Sequence, residues 1–152
     1  MGTFKALPRG AQLVLVAGPL LVVSLFFTWQ QVEVDYGRAG VAKIPLDGWD
    51  AWGLLLALLT LTAVVLVALV HLSDVDLPDS VPWRTVILAL GVAVLAVAAV
   101  KNMTDAGSTP ASYVFVGLAG VVAAGAYLDW AAARRTDRPA LARKRRGFSS
   151  AA

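Results

Sequence analysis

The chain has few side chains that could bind a metal or transfer a proton. The only histidine, His71, precedes an acidic stretch that contains Asp74, Asp76 and Asp79. A histidine can act as a pH switch or a metal ligand, and carboxylates can bind a divalent cation. The stretch lacks the glycine-centred spacing of a calcium loop, so the sequence favours a solvated acidic turn and a polar residue at a helix end. We expect no metal and no cofactor.

Asp47 and Asp50 are a second pair of carboxylates, placed just before a long apolar run. In that position they could serve a membrane enzyme that modifies lipids. The serines show no Gly-x-Ser-x-Gly pattern and no evident histidine partner, and the chain contains no cysteine. Nucleophilic catalysis therefore has no support, and we expect a protein that is not an enzyme.

Four stretches of the sequence without charged residues determine where these side chains lie. Asp, Glu, Lys and Arg are all absent from residues 10–32, 51–73, 85–100 and 106–128. A hydrocarbon layer about 30 Å thick requires about 20 apolar residues in a helix, so each run is close to the length of a membrane span. Only 15% of the residues are charged, against about 25% in soluble domains. We predict transmembrane helices over about residues 11–29, 50–71, 83–101 and 112–130.

The short connections between these helices predict an all-α membrane protein. Residues 1–135 are expected to form an antiparallel four-helix transmembrane bundle. The first run is too long for the apolar core of a signal peptide and no small-residue cleavage site follows it, so we expect it to be retained. The absence of a charged residue deep in any run disfavours a proton-coupled transporter.

Residues 30–50 form the only sizeable connection. Apolar residues alternate with Glu33 and Asp35 over residues 32–36, which is the period of a half-covered strand. The chain can then turn and return as a second strand over residues 41–46, with Lys43 near the acidic pair. The sequence thus allows a β-hairpin that rests on the helix ends, with Asp47 capping the second helix.

Basic residues indicate the orientation. Ten Lys and Arg residues lie on the side of the termini, and three lie on the other side. The positive-inside rule therefore places both termini in the cytoplasm of a cytoplasmic membrane. Residues 136–152 are expected to form a basic, disordered tail. Contact with anionic lipid headgroups is expected from Arg134, Arg135, Arg143, Lys144, Arg145 and Arg146; a protein partner is an alternative, and nucleic acid is disfavoured.

Small residues mark candidate faces for helix packing. They lie at small-xxx-small spacing on the third and fourth predicted helices, and the residues concerned are Ala89, Ala93, Gly117, Gly120 and Ala124. Such residues let two helices approach closely in a membrane. The sequence favours packing of these two helices within one chain, and a homodimer face is the alternative.

Three tryptophans mark the outer face of the predicted bundle. Trp29 ends the first predicted helix, and Trp49 and Trp52 begin the second. Antiparallel packing would place all three at similar depth beneath the hairpin. They form either a docking platform for a partner or lipid headgroup, or an ordinary aromatic belt, which the sequence favours.

Two segments around these tryptophans carry a resemblance. They read Phe26-Phe27-Thr28-Trp29 and Asp47-Gly48-Trp49-Asp50-Ala51-Trp52-Gly53. In these segments and in its layout, the chain resembles a group of small, uncharacterised four-span membrane proteins of high-GC actinobacteria. The chain differs from the group at Thr28, because the group often has proline at this position before the tryptophan. The resemblance implies a topology and no activity.

The function expected from these observations is a structural or accessory role in the cytoplasmic membrane, exerted through contacts with a partner protein. The alternative is a channel, a transporter subunit or a small-lipophile-binding protein with a cavity between helices. A polar pore or a wide cavity past Thr60 and Thr62 would favour that alternative.

Overall fold

Most of the chain is helical, with one small sheet. The computed structural model describes residues 2–78, 80–105 and 107–149, without the side chains of residues 2, 3, 39 and 136–149. The elements of this part of the chain are α1 (Gly2–Ala6), α2 (Arg9–Ser24), β1 (Gln30–Asp35), β2 (Val41–Leu46), α3 (Ala51–Leu72), α4 (Trp83–Thr104) and α5 (Pro110–Ser149).

Within the described residues, three helical segments are long and apolar enough to cross a membrane. They are Ala51–Leu72, Trp83–Thr104 and Pro110–Arg135. This agrees with the long apolar helices predicted at these positions. Helix α2 is also apolar, but its 16 residues fall short of the usual span of about 20.

The four longer helices share one apolar core. Helix α2 packs on α3 and α5, and α4 packs on the same two helices. The largest buried apolar side chains within these helices include Leu21, Leu56, Ile87, Val94 and Val122. The outer face of α2 is apolar as well, because Leu13, Val16, Leu20 and Val23 are exposed.

The helical core has two ends, which carry different groups. We call the end next to the strands, where α2 and α4 stop and α3 and α5 start, the hairpin end. The far end holds the starts of α2 and α4, the last turn of α3 and the part of α5 around Trp130.

Helix α2 stops five residues before the predicted end at Trp29. The N–H groups of Leu25 and Phe26 bond three residues back, to the carbonyls of Val22 and Val23, and this tightens the last turn. The indole N–H of Trp29 then donates to the carbonyl of Ser24 at 2.9 Å. The Ser24 carbonyl also accepts the Phe27 N–H, so it bonds to two groups other than the N–H that would continue the helix.

The predicted hairpin is confirmed. Strands β1 and β2 pair antiparallel with Glu33 opposite Lys43, and the two side chains form an exposed ion pair at 3.0 Å. The sheet rests on the α4–α5 connection, where Gln31 N–H donates to the carbonyl of Gly107 at 3.0 Å. Gly107 has a φ of +69° and lies against the Gln31 carbonyl, so a side chain would fit neither the backbone nor the space.

Two further helix boundaries differ from the predictions. Asp50 rather than Asp47 caps α3, since its Oδ1 accepts the Gly53 N–H at 2.7 Å; Asp47 accepts the Trp49 N–H instead. Helix α5 continues to Ser149, where the sequence predicts a disordered tail. Most residues there are alanine, leucine, lysine or arginine, which have high helix propensity, whereas Pro139 and Gly147 have low propensity. Residues 150–152 lie outside the described residues.

Two of the predicted packing residues, Gly117 and Gly120, do not lie against another helix. An added Cβ at Gly117 or Gly120 would meet nothing within 4 Å, Ala89 and Ala124 are exposed, and Ala93 is half-buried. The contact between α4 and α5 uses other small residues, which are Gly91, Ala123 and Ala126. Small residues occur around the whole circumference of α5, so their spacing alone cannot select the buried face.

Two glycines permit a close backbone approach between α2 and α5. A Cβ on Gly125 would lie 2.8 Å from the Gly10 carbonyl oxygen and 3.0 Å from Leu13 Cβ. A Cβ on Gly10 would in turn collide with the backbone of Gly125 and Asp129. The two helices therefore lie together only because both positions lack a side chain.

We expect Gly125→Ala to lower the free energy of unfolding by about 1–3 kcal/mol, because the new methyl group forces α2 away from α5. Gly117→Ala is the matched control on the same helix. It should raise stability by up to about 1 kcal/mol through helix propensity alone. Unfolding of both variants in mixed micelles of a mild detergent and dodecyl sulfate measures the difference. Equal destabilisation would contradict the packing described here.

Candidate functional site

The three tryptophans of the predicted platform do not form one surface. Trp29 is fully buried, whereas Trp49 is 38% exposed and Trp52 is 42% exposed. The ring of Trp49 packs edge-on against Phe26 with centroids 5.0 Å apart. Trp49 and Trp52 therefore remain available at the hairpin end, and Trp29 belongs to the core.

Trp29 joins the hairpin to the helix ends. Its ring packs at 5.2 Å on Phe115 of α5, and Gly48, just before α3, lies against the indole. Its backbone N–H donates to the Leu46 carbonyl of β2, and its carbonyl accepts from the N–H of Thr109. This residue has a structural role at the hairpin end.

A buried lysine lies beside Trp29. Lys101 of α4 is 0% exposed, and its Nζ lies 2.7 Å from Asp50 Oδ2 and 3.1 Å from Asp105 Oδ2. The ammonium group also sits 5.4 Å from the centroid of the Trp29 ring. Burial of an ion is costly unless it is paired, and here two carboxylates and an aromatic ring compensate the charge. The ion pairs of Lys101 connect the start of α3 to the end of α4.

Asp50 is poorly suited to act as a catalytic base. Desolvation opposes its ionisation, but the hydrogen bonds from Lys101 and Gly53 outweigh that effect and hold the pKa of Asp50 below its ordinary value. Lys101 occupies one carboxylate oxygen and Gly53 N–H the other. The arrangement is that of a helix cap that also takes part in an ion pair, with both carboxylate oxygens engaged.

A second buried pair lies at the far end. His71 Nε2 of α3 is 3.1 Å from Asp129 Oδ1 of α5, with the side chains 8% and 1% exposed. Neither oxygen of Asp129 nor His71 Nε2 has an aligned hydrogen bond in the described part of the chain. Asp74, which follows His71 in the sequence, is exposed. No group of three or more potential metal ligands occurs among the described residues.

Neither buried charged group is evident from the sequence of a single span. Lys101 and Asp129 lie near the ends of two predicted helices, where a charged residue is ordinary. Antiparallel packing brings Asp50, Lys101 and Asp105 together at the hairpin end. It brings His71 and Asp129 together at the far end. Opposite charges at matching depths on neighbouring helices are the sequence signal that indicates such pairs.

An open groove of about 820 Å³ lies at the far end. Its walls come from the last turns of α3, the α3–α4 connection, the start of α4 and the face of α5 around Trp130. Leu69, Val70 and Leu77 make part of the wall apolar. Arg84 of α4 and Arg134 of α5 also line it.

Two of the predicted headgroup-binding residues have described side chains. Arg134 lines the groove, and its guanidinium lies 3.9 Å from the centroid of the Trp130 ring. Arg135 lies outside the groove, beside a separate cavity of about 300 Å³ that Arg9 also lines. The side chains of Arg143, Lys144, Arg145 and Arg146 fall outside the described part of the chain.

Comparison with protein-family models, with curated proteins and with solved structures gave no match to this chain.

Proposed function

We propose that the chain is a four-span protein of the cytoplasmic membrane, in which α2, α3, α4 and α5 form an antiparallel bundle. The apolar outer face of α2 supports its inclusion as a span, because a soluble protein rarely exposes such contiguous apolar surface. Its 16 residues reach about 24 Å. The exposed rings of Phe26 and Phe27 continue the apolar surface beyond the helix.

The positions of the two buried charged groups support the same placement. Along α3, Asp50 and His71 are 21 residues apart, or about 30 Å in a helix, and this matches the thickness of a hydrocarbon layer. The charged groups would then lie at the two edges of the membrane, where their cost is lowest. The excess of basic residues supports a cytoplasmic position for the far end.

Within that membrane, the role we propose is structural or accessory, exerted through contacts with a partner protein and without catalysis. The observation that carries this proposal is the mutual pairing of the buried charges, which leaves Asp50, Lys101 and Asp105 engaged with one another. The hydroxyl groups of Thr60 and Thr62 each donate a hydrogen bond to a carbonyl of their own helix. These hydroxyl groups therefore do not require a polar pore. A channel or a proton pathway has less support.

Copurification tests the partner role. We expect a stoichiometric membrane protein to accompany the wild-type chain from its native host in mild detergent, and the Trp49→Ala/Trp52→Ala variant to lose it while still accumulating. Leu58→Ala is the control, since this exposed apolar residue of α3 lies away from the hairpin end. A wild-type chain that reproducibly purifies without any partner would contradict the proposal.

A second function, the binding of a lipophile between helices, is favoured by one observation. The groove at the far end is large enough for part of a lipid and combines apolar walls with two arginines. This function is compatible with a partner role, because lipid and protein would contact opposite ends of the bundle.

A further inference from the structure

The described part of the groove at the far end carries positive charge. Arg84 and Arg134 approach it from α4 and α5, and no Asp or Glu occurs among its described lining residues. Asp74 and Asp76 belong to the same α3–α4 connection but are exposed and do not line the groove; residue 79 lies outside the described residues. Charge complementarity therefore favours an anionic occupant.

Aromatic side chains fix this basic region in place. Trp130 stacks under the guanidinium of Arg134, which restricts the arginine to the groove. Across the groove, the indole N–H of Trp83 donates to the Pro78 carbonyl at 3.1 Å and holds the connection as a wall. Tryptophans with one apolar and one polar side are typical of the depth of lipid headgroups.

The start of α4 adds to the positive potential. Pro82 precedes the helix and supplies no side-chain cap, and the N–H groups of Trp83 and Thr85 bond to the backbone carbonyls of Val81 and Pro82. The positive end of the helix dipole favours a negative group at this position. Trp83, Arg84 and Thr85 of this first turn all line the groove.

We infer that the groove binds one anionic phospholipid of the cytoplasmic leaflet, with its phosphate between Arg84 and Arg134. Leu69, Val70 and Leu77 would contact the upper part of an acyl chain, which a free phosphate lacks. Basic pockets between transmembrane helices on this side of a membrane are suited to such headgroups. The inference deepens the lipophile-binding function and rests on the proposed membrane placement of the bundle.

Quenching of tryptophan fluorescence by brominated lipids tests the site. The full chain in neutral detergent, with Trp49→Phe and Trp52→Phe to lower the background, is titrated with brominated phosphatidylglycerol or brominated phosphatidylcholine. We expect phosphatidylglycerol to quench Trp83 and Trp130 at a concentration about tenfold lower, and Arg84→Gln/Arg134→Gln to abolish that preference. Arg84→Lys/Arg134→Lys should retain part of it, because the charge remains.

Arg9→Gln/Arg135→Gln is the matched control, since it removes two arginines from the same end of the bundle but outside the groove. This control variant should keep the preference for phosphatidylglycerol. If it loses the preference as fully as the groove variant, basic residues attract anionic lipid in general, and the inference is overturned. Equal quenching by the two lipids would overturn it too. So would displacement of the lipid by an equal concentration of glycerol phosphate, which would assign the groove to a soluble anion.

Helical circular dichroism and elution in detergent verify that each variant is folded. If the double glutamine variant is not folded, the single variants Arg84→Gln and Arg134→Gln are measured instead. Each should lower the preference for phosphatidylglycerol about threefold. If neither variant lowers this preference, the inference is overturned. Binding in detergent requires neither a partner nor an orientation. The failure of this inference is thus distinguishable from failure of the proposed function.

Discussion

Replacing Lys101 with methionine should lower the free energy of unfolding by about 3–5 kcal/mol. Methionine retains most of the volume but leaves Asp50 and the nearly buried Asp105 without their shared counterion. Removal of one partner from a buried ion pair is costly because the remaining charge is desolvated and unpaired. Unfolding in mixed micelles with increasing dodecyl sulfate measures the effect.

Lys43→Met is the control for this substitution. Lys43 pairs with Glu33 at a similar distance of 3.0 Å, but both side chains are more than 60% exposed. Such a surface pair contributes about 0–1 kcal/mol. If the two methionine variants lose the same small amount of stability, Lys101 is not the buried ion described here.

The second large effect is expected from Trp29→Ala, which should also cost about 3–5 kcal/mol. The substitution empties a fully buried site and removes the indole N–H from the Ser24 carbonyl. We expect the variant to accumulate poorly, and its remaining folded fraction to unfold at lower dodecyl sulfate concentration than the wild type.

Trp49→Ala provides the comparison, because Trp49 lies at the same end but is 38% exposed. It should cost about 1 kcal/mol or less and leave the protein folded. A Trp29→Ala variant that is as stable as Trp49→Ala would place Trp29 at the surface. In that case the predicted platform of three tryptophans would regain support.

The long apolar helices and the hairpin were predictable from the sequence because local signals specify them. Helix α3 lies within the uncharged run over residues 51–73, and α4 extends the run over residues 85–100 at both ends, with Pro82 just before its start. The alternation around Glu33 predicts β1, and Lys43 then falls opposite it in the observed register. Each of these features depends on residues close together in the chain.

The end of α2 was not predictable in the same way. Apolar residues continue to Trp29, so periodicity gives no reason to stop the helix at Ser24. The stop depends on burial of the Trp29 ring against Phe115, which is 86 residues away in the chain. The small-residue faces pose a similar difficulty, because Gly117 and Gly125 look alike in sequence and only the position of α2 distinguishes them.

The candidate site was predictable only in its components. Arg134 was identified as a basic residue near a membrane surface, but its arrangement with Arg84 depends on how α5 packs against the start of α4. Sequence separation between these residues is large, and no periodic pattern links them. Packing of the helices creates the groove.

We propose that four helices, including the short α2, cross the membrane with the far end in the cytoplasm. Single cysteines test it directly, since the natural chain has none. An impermeant maleimide is added to intact cells that carry Lys5→Cys, Arg38→Cys or Ser80→Cys. We expect labelling at position 38 alone, with positions 5 and 80 reacting only after permeabilisation. Labelling of both 5 and 38 in intact cells would mean that α2 does not cross, and would contradict the account.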